Sequence, residues 1–285
     1  MKKMAILFVA LLLCAFTAIA QDSSNASSNS SGNDTTNSDM TKQQHKDKAV
    51  ADENAAQNAK DRAKNAGTDA SEEHNKALAR LAEGGKVMNQ LMAAPDTGIP
   101  QEVLDNAKCV AVIPSMLKGG FIFGAEHGRG VATCRTKNGW SAPAFFVATG
   151  GNWGAQIGGQ ATDLVMMIMN ENGMNQLLNS KFKIGGDASA AAGPVGRQAS
   201  ASTDWKMHSE ILTYSRSRGL YAGAVLNGVV IKADEDAMTG YYGHDAGFRP
   251  VLTGQVKDPS AGNDRFVSAV RNAHAEATAK NDDKK

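Results

Sequence analysis

The sequence predicts an α+β domain, with a bent antiparallel sheet or barrel-like core and flanking helices. Two observations carry this reading. The stretch Trp140–Asn170 holds two apolar runs, AFFVA and LVMMIM, set off by the doublets Gly150-Gly151 and Gly158-Gly159, the pattern of fully buried strands. Around it the element order is helices, then many short strands with inserted helices, then a final helix, which is the order of an α+β fold. The central stretch has no His, Cys or Lys and a single acid, Asp163, so it reads as scaffold with no catalytic centre in it.

The 285 residues do not all belong to that domain. Residues 1–20 have Lys2 and Lys3, an apolar run and a closing Ala18-Ile19-Ala20, which reads as a cleaved secretory signal. Leu13 precedes Cys14 where a lipidation site takes a small residue, which argues against a lipoprotein. Loss of Lys2 and Lys3 takes the formal charge from +1 to −1, so no excess of either sign points to nucleic acid. Residues 21–75 read as a disordered or weakly helical tether. Gln21–Thr41 is Ser, Asn, Asp and Thr with too little apolar surface to offset ordering entropy, and Lys42–Lys76 has helix propensity without an apolar stripe.

The folded domain is expected over 76–245, with 246–285 a C-terminal extension containing a helix. Leu78, Leu81, Met88, Leu91 and Met92 fall at helical spacing, in a helix loosened by Gly84-Gly85 and ended by Pro95 and Pro100. A short helix Gln101–Ala107 follows, then a strand Cys109–Ile113 stopped by Pro114. Phe121–Glu126 and Val131–Thr136 read as a hairpin turning at His127–Gly130, and Lys137-Asn138-Gly139 supplies a second turn. Gly173–Ser180 reads as a helix. Ile211–Ser217, Leu220–Leu226 and Val229–Ala233 read as strands, with Asn227-Gly228 a hairpin signal, and Asp264–Ala279 as the last helix. Cys109 and Cys134 could pair in an oxidising compartment; their apolar surroundings also suit two buried thiols, and spacing alone leaves both open.

Candidate chemistry is sparse. His45, His74, His127, His208, His244 and His274 show no metal-pair spacing. GAEHGRG and the glycines of 185–196 lack the strand–loop–helix order of a dinucleotide site, and no G-x-S-x-G occurs. Asp187, Asp204 and Glu210 are isolated acids. Arg197, Arg216 and Arg218 could hold a lipid phosphate, or form structural ion pairs. No cofactor is expected and no enzyme activity.

Four longer runs, VIPSMLKGGFIFGAEHGRGV, NGWSAPAFFVATGGNWGAQIGGQATDLVMMIMN, FKIGGDASAAAGPVGR and EILTYSRSRGLYAGAVLNG, in that order, resemble the SYLF family of lipid-binding domains over about Ala77–Gly243. The resemblance implies binding of phosphoinositide or other anionic phospholipid through the N-terminal amphipathic helix, and in yeast members actin binding and bundling. Carried onto this chain, it implies lipid contact by the helix Leu78–Met92, with Leu78, Leu81, Met88 and Leu91 as its apolar face and Lys76, Arg80 and Lys86 as its cations. No SH3 or FYVE companion of the eukaryotic members is expected within these residues. The expectation is thus an exported, periplasmic or secreted, non-enzymatic protein peripheral to a membrane. Its partner would be an anionic phospholipid surface. The alternative is a structural or protein-interaction module with an envelope protein partner.

Overall fold

The computed structural model describes residues 37–94, 98–120, 123–153, 158–195, 209–217, 220–223, 226–262 and 264–282. The predicted signal and the tether as far as residue 36 lie outside them. Contacts divide the chain into Met1–Ala59 and Lys60–Lys285. Of the first unit, helical backbone from Asn37 onward is described; the second unit carries the fold.

Helix α1 runs unbroken over Asn37–Met92, so the predicted helix at Leu78–Met92 is only its last part. The described side chains between Glu53 and Glu72 are exposed, as a sequence of Ala, Lys, Glu and Gln without an apolar stripe dictates. From Ala77 a stripe turns inward, and Ala77, Leu81, Met88 and Leu91 are all buried. The Gly84-Gly85 pair does not act as a loose joint. A Cβ on Gly85 would lie 2.5 Å from the carbonyl oxygen of Arg265, and one on Gly84 3.0 Å from Val131 Cγ2. These glycines let the first turn of the last helix approach the α1 backbone, which a side chain would block.

Among the described residues the strands form one 10-stranded sheet, curled into a half-barrel. Its strands are β1 (Cys109–Gly120), β2 (Phe123–Thr136), β3 (Gly139–Trp140), β4 (Ala144–Trp153) and β5 (Gly158–Ile168), followed by β6 (Lys181–Lys183), β7 (Ala190–Ala192), β8 (Ile211–Ser217), β9 (Leu220–Gly223) and β10 (Val230–Ala233). The order is β6-β10-β4-β2-β1-β5-β8-β7, with β3 on β2 and β9 on β8. Neighbours are antiparallel except β7 and β8, so the sheet is mixed. Among the described residues the flanking helices after α1 are α2 (Gln101–Asn106), α3 (Glu171–Leu178), α4 (Glu235–Tyr242), α5 (Phe248–Leu252) and α6 (Arg265–Asp282). The central strands are covered on both faces, so the adjacent Phe145 and Phe146 are both fully buried. Each contributes about 1.5–3 kcal/mol by leaving water. The two predicted apolar runs are thus β4 and β5, although Val147 is half-buried where full burial is expected.

Three local readings are corrected. Pro114 does not stop β1. The strand continues through a bulge between Ile113 and Met116, where the ladder shifts register and the missing proline N–H is tolerated. Ser115 takes φ 52° there, and its N–H donates to Asp163 Oδ1 at 3.0 Å. HGRG is not a turn, because it lies inside the 14-residue strand β2. A Cβ on Gly130 would sit 2.3 Å from Phe146 Cζ, so this glycine makes room for a ring. Asn227-Gly228 joins no hairpin either: β9 pairs with β8, whereas β10 pairs with β4 and β6. Cys109 and Cys134 are cross-strand partners on β1 and β2 and form a disulfide, which closes the choice the spacing left open.

Candidate functional site

The apolar face of α1 belongs to the core. Leu81 is 2% exposed and Met88 and Leu91 are 0% exposed, while Leu78 alone of that set points outward. Each predicted cation already has an acid. Lys76 Nζ lies 2.7 Å from Glu72 and 2.9 Å from Glu73, and Lys86 Nζ lies 3.5 Å from Glu83. Arg80 is buried. Its Nη1 donates to Asp234 Oδ2 at 2.9 Å and its guanidinium lies 5.5 Å from the centroid of the Phe145 ring. Burial lowers the Arg80 pKa from its ordinary value, and the Asp234 carboxylate works against that shift. These residues are close in space because they are close in sequence, but they do not form an open face. Lipid contact by Leu81, Met88 and Leu91 would require that face to leave the strands.

Of the other candidates, Arg216 is held on β8 by Gln90 and by Asp163, the latter at 3.4 Å. Arg197, Arg218, Asp204 and His208 lie outside the described residues. Asp187 accepts from the Lys183 N–H at 2.7 Å, and Glu210 from the Ser189 N–H at 2.6 Å. His74 stacks on Tyr241, and His274 Nε2 lies 2.8 Å from Arg135 Nη1. Among the described residues no three His, Cys, Asp or Glu side chains converge as a metal site. A cleft of about 420 Å³ is lined by Trp140, Lys257, Asp258 and Arg271, among others.

The open feature is a face of the sheet that sequence reasoning missed. β1, β2, β4 and β5 run on past the part that the helices cover. Cross-strand register lines up Gly151, Ala125, Gly119 and Gly159 in one row, all exposed and none with a side chain larger than methyl. One pleat back, the row is Lys183, Val230, Thr149, His127, Leu117 and Ala161. Leu117 is 58% exposed, one of two exposed large apolar side chains among the described residues. The next row holds Lys181, Lys232, Val147 and Arg129. Beyond it the same face passes under Arg80 at Phe145 and Asp234. The local signal for this face is the pair of glycine doublets; the rows need the register of strands far apart in sequence.

Fold and surface together define an α+β half-barrel domain with a long N-terminal helix, an exposed sheet face of small residues and no helix among the described residues long and apolar enough to cross a membrane. The chain carries a domain of the Ysc84 (SYLF) family. The family model described as "Ysc84: Las17-binding protein actin regulator" matches residues 149–273. Protein YSC84 of Saccharomyces cerevisiae is 34% identical over 194 residues, which is 67% of this chain and 41% of that protein. LAS seventeen-binding protein 3 of the same yeast is 32% identical over 194 residues, 67% of this chain and 42% of that one. The human SH3 domain-containing YSC84-like protein 1 is 28% identical over 201 residues, 70% of this chain and 58% of that one. The chain therefore spans about two fifths of the yeast relatives' length.

Proposed function

We propose that this protein is a non-enzymatic binding domain of the cell envelope that lies on anionic phospholipid through its open sheet face. One observation carries the proposal: the row Gly151, Ala125, Gly119 and Gly159 is exposed, has no side chain larger than methyl and is bordered by Leu117. A face without projecting side chains lets a large, smooth partner approach the backbone closely, and encloses nothing the size of a metabolite. The resemblance to lipid-binding SYLF domains supplies the class of partner. The Cys109–Cys134 disulfide supports export, because such bonds persist in oxidising compartments. In flotation with phosphatidylcholine vesicles containing phosphatidylglycerol the protein is expected to rise with the lipid, and with pure phosphatidylcholine to stay below. Failure to rise with either removes the lipid reading.

The relatives named for binding Las17, and a family described as an actin regulator, favour a second reading, a protein partner. One observation fits it. Among the described residues, β4 beyond Thr149 has no strand on its outer side, and a free edge can accept an extended segment.

A further inference from the structure

Three strands distant in sequence bring four cations onto one face. Lys181 of β6 stands directly opposite Lys232 of β10, Lys232 opposite Val147 of β4, and Val147 opposite Arg129 of β2. Directly opposed residues of an antiparallel pair point to the same side, so Lys181, Lys232 and Arg129 form one row. With strands about 4.8 Å apart, the row is roughly 14 Å long. Lys183 stands on the same side one pleat further on, in the row that ends at Leu117 and Ala161.

This arrangement is costly for a folded protein on its own. Like charges directly opposite one another in a sheet destabilise it. Among the described residues no acid lies within ion-pair distance of Lys181, Lys183 or Lys232, and all three are exposed. The acid nearest Arg129 is Asp234, at 4.0 Å, and Arg80 already holds the same oxygen at 2.9 Å. Other acids flank the row without closing it. Asp187 accepts from the Lys183 backbone, Asp163 is engaged by Ser115 and Arg216, and Glu235 and Asp236 are exposed in the first turn of α4. The cations are spread along an open row and converge on no single point. That distribution fits an extended anionic surface better than one compact phosphate.

We infer that Lys181, Lys232 and Arg129, with Lys183, are the headgroup-binding surface through which this domain rests on an anionic lipid bilayer, with Leu117 entering the boundary beside them. The inference rests on the lipid reading above and gives it a site away from α1. A basic residue near an anionic membrane surface strengthens binding roughly fivefold, so removal of three weakens it about a hundredfold.

The test is co-sedimentation of the full chain with mixed phosphatidylcholine–phosphatidylglycerol vesicles and with pure phosphatidylcholine vesicles. The parent is compared with a Lys181→Gln, Lys183→Gln, Lys232→Gln variant and with a Lys76→Gln, Lys86→Gln variant. The site predicts a partition coefficient down about a hundredfold in the first variant, with a shallower salt dependence, and near-parental binding in the second. The melting temperature of the first should hold or rise, because the Lys181–Lys232 repulsion is gone; this keeps a lost fold from passing for a lost site. Parental binding by the first variant, or loss in the second alone, overturns the site and leaves the lipid reading standing. A parent that binds neither vesicle overturns both.

Discussion

Arg80 Nη1 donates to Asp234 Oδ2 at 2.9 Å, and this pair joins α1 to the end of β10 where almost no water reaches it. Asp234 does double duty, since its Oδ1 also accepts from the Ala237 N–H and caps α4. Removing one partner of a buried pair leaves the other charge stranded, at a cost of about 3–5 kcal/mol. Arg80→Ala is therefore expected to lose that much in urea unfolding. Arg80→Met with Asp234→Asn, which keeps the cap and removes both charges, is expected to lose clearly less. Equal losses would mean that the pair is not isolated from water.

Gly85→Ala separates propensity from packing. In an exposed helix the change stabilises by about 1 kcal/mol. Here the added Cβ would lie 2.5 Å from the Arg265 carbonyl oxygen, a backbone atom that cannot swing aside. The variant is expected to melt lower than the parent. A higher melting temperature would show that α6 does not press on α1 at this point.

The disulfide closes a separation of 25 residues between adjacent strands. Constraining an unfolded loop of this size stabilises by about 3 kcal/mol in the chain-entropy picture. A Cys109→Ala, Cys134→Ala double variant should lose stability on that scale, and a reductant should then leave its melting curve unmoved. A reductant that shifts the variant as much as the parent would show that the effect comes from elsewhere.

Asp258 and Asp264 give a pH dependence with a definite sign. Asp258 accepts from Tyr241 Oη at 2.7 Å and from Ser260 N and Oγ at 2.9 and 2.8 Å. Burial opposes its charge, but these donors outweigh it and hold the carboxyl below its usual range. Asp264 Oδ1 accepts from the Val267 N–H at 2.7 Å, while its buried Oδ2 has no donor. Burial, and the neighbouring Asp258, push Asp264 up to about 7 from its ordinary 3.8. The folded protein thus holds this proton more tightly than the unfolded chain. Its contribution is full below the unfolded value and is lost as pH rises through about 7. His274 is depressed by burial and by Arg135 and pulls the other way in the upper part of that window, so the useful quantity is a difference between variants. Asp264→Asn keeps the helix cap. It should match the parent only below the unfolded value and exceed it by a growing margin as pH rises to about 7. A difference between the two that does not change with pH would contradict the shift.

Much of the fold was legible because it rests on local pattern. AFFVA and LVMMIM announce β4 and β5, and the C-terminal helix shows its stripe at Phe266, Val267 and Val270, all buried. What was illegible depends on partners remote in sequence. HGRG carries turn residues, yet Gly130 is small because the Phe146 ring stands over it. Gly84-Gly85 looks like a weak joint until Arg265 is placed beside it. The spacing of Leu81, Met88 and Leu91 shows an apolar face, and periodicity does not show that the face lies against the strands; their burial does. The cationic row was beyond reach for the same reason, since Lys181, Lys232 and Arg129 meet only through strand pairing.

In the proposed lipid contact the sheet face, and not the α1 stripe, meets the membrane. An environment-sensitive fluorophore on a single introduced cysteine tests it, at Leu117→Cys or at Leu78→Cys, each in a Cys14→Ser background with the disulfide intact. These two sites are the exposed large apolar side chains of the described residues, so labelling either spares the core. On adding phosphatidylglycerol-containing vesicles, the label at 117 is predicted to shift to the blue and brighten while the label at 78 stays in water. A blue shift at 78 with none at 117 would rule out the sheet face and return the contact to α1.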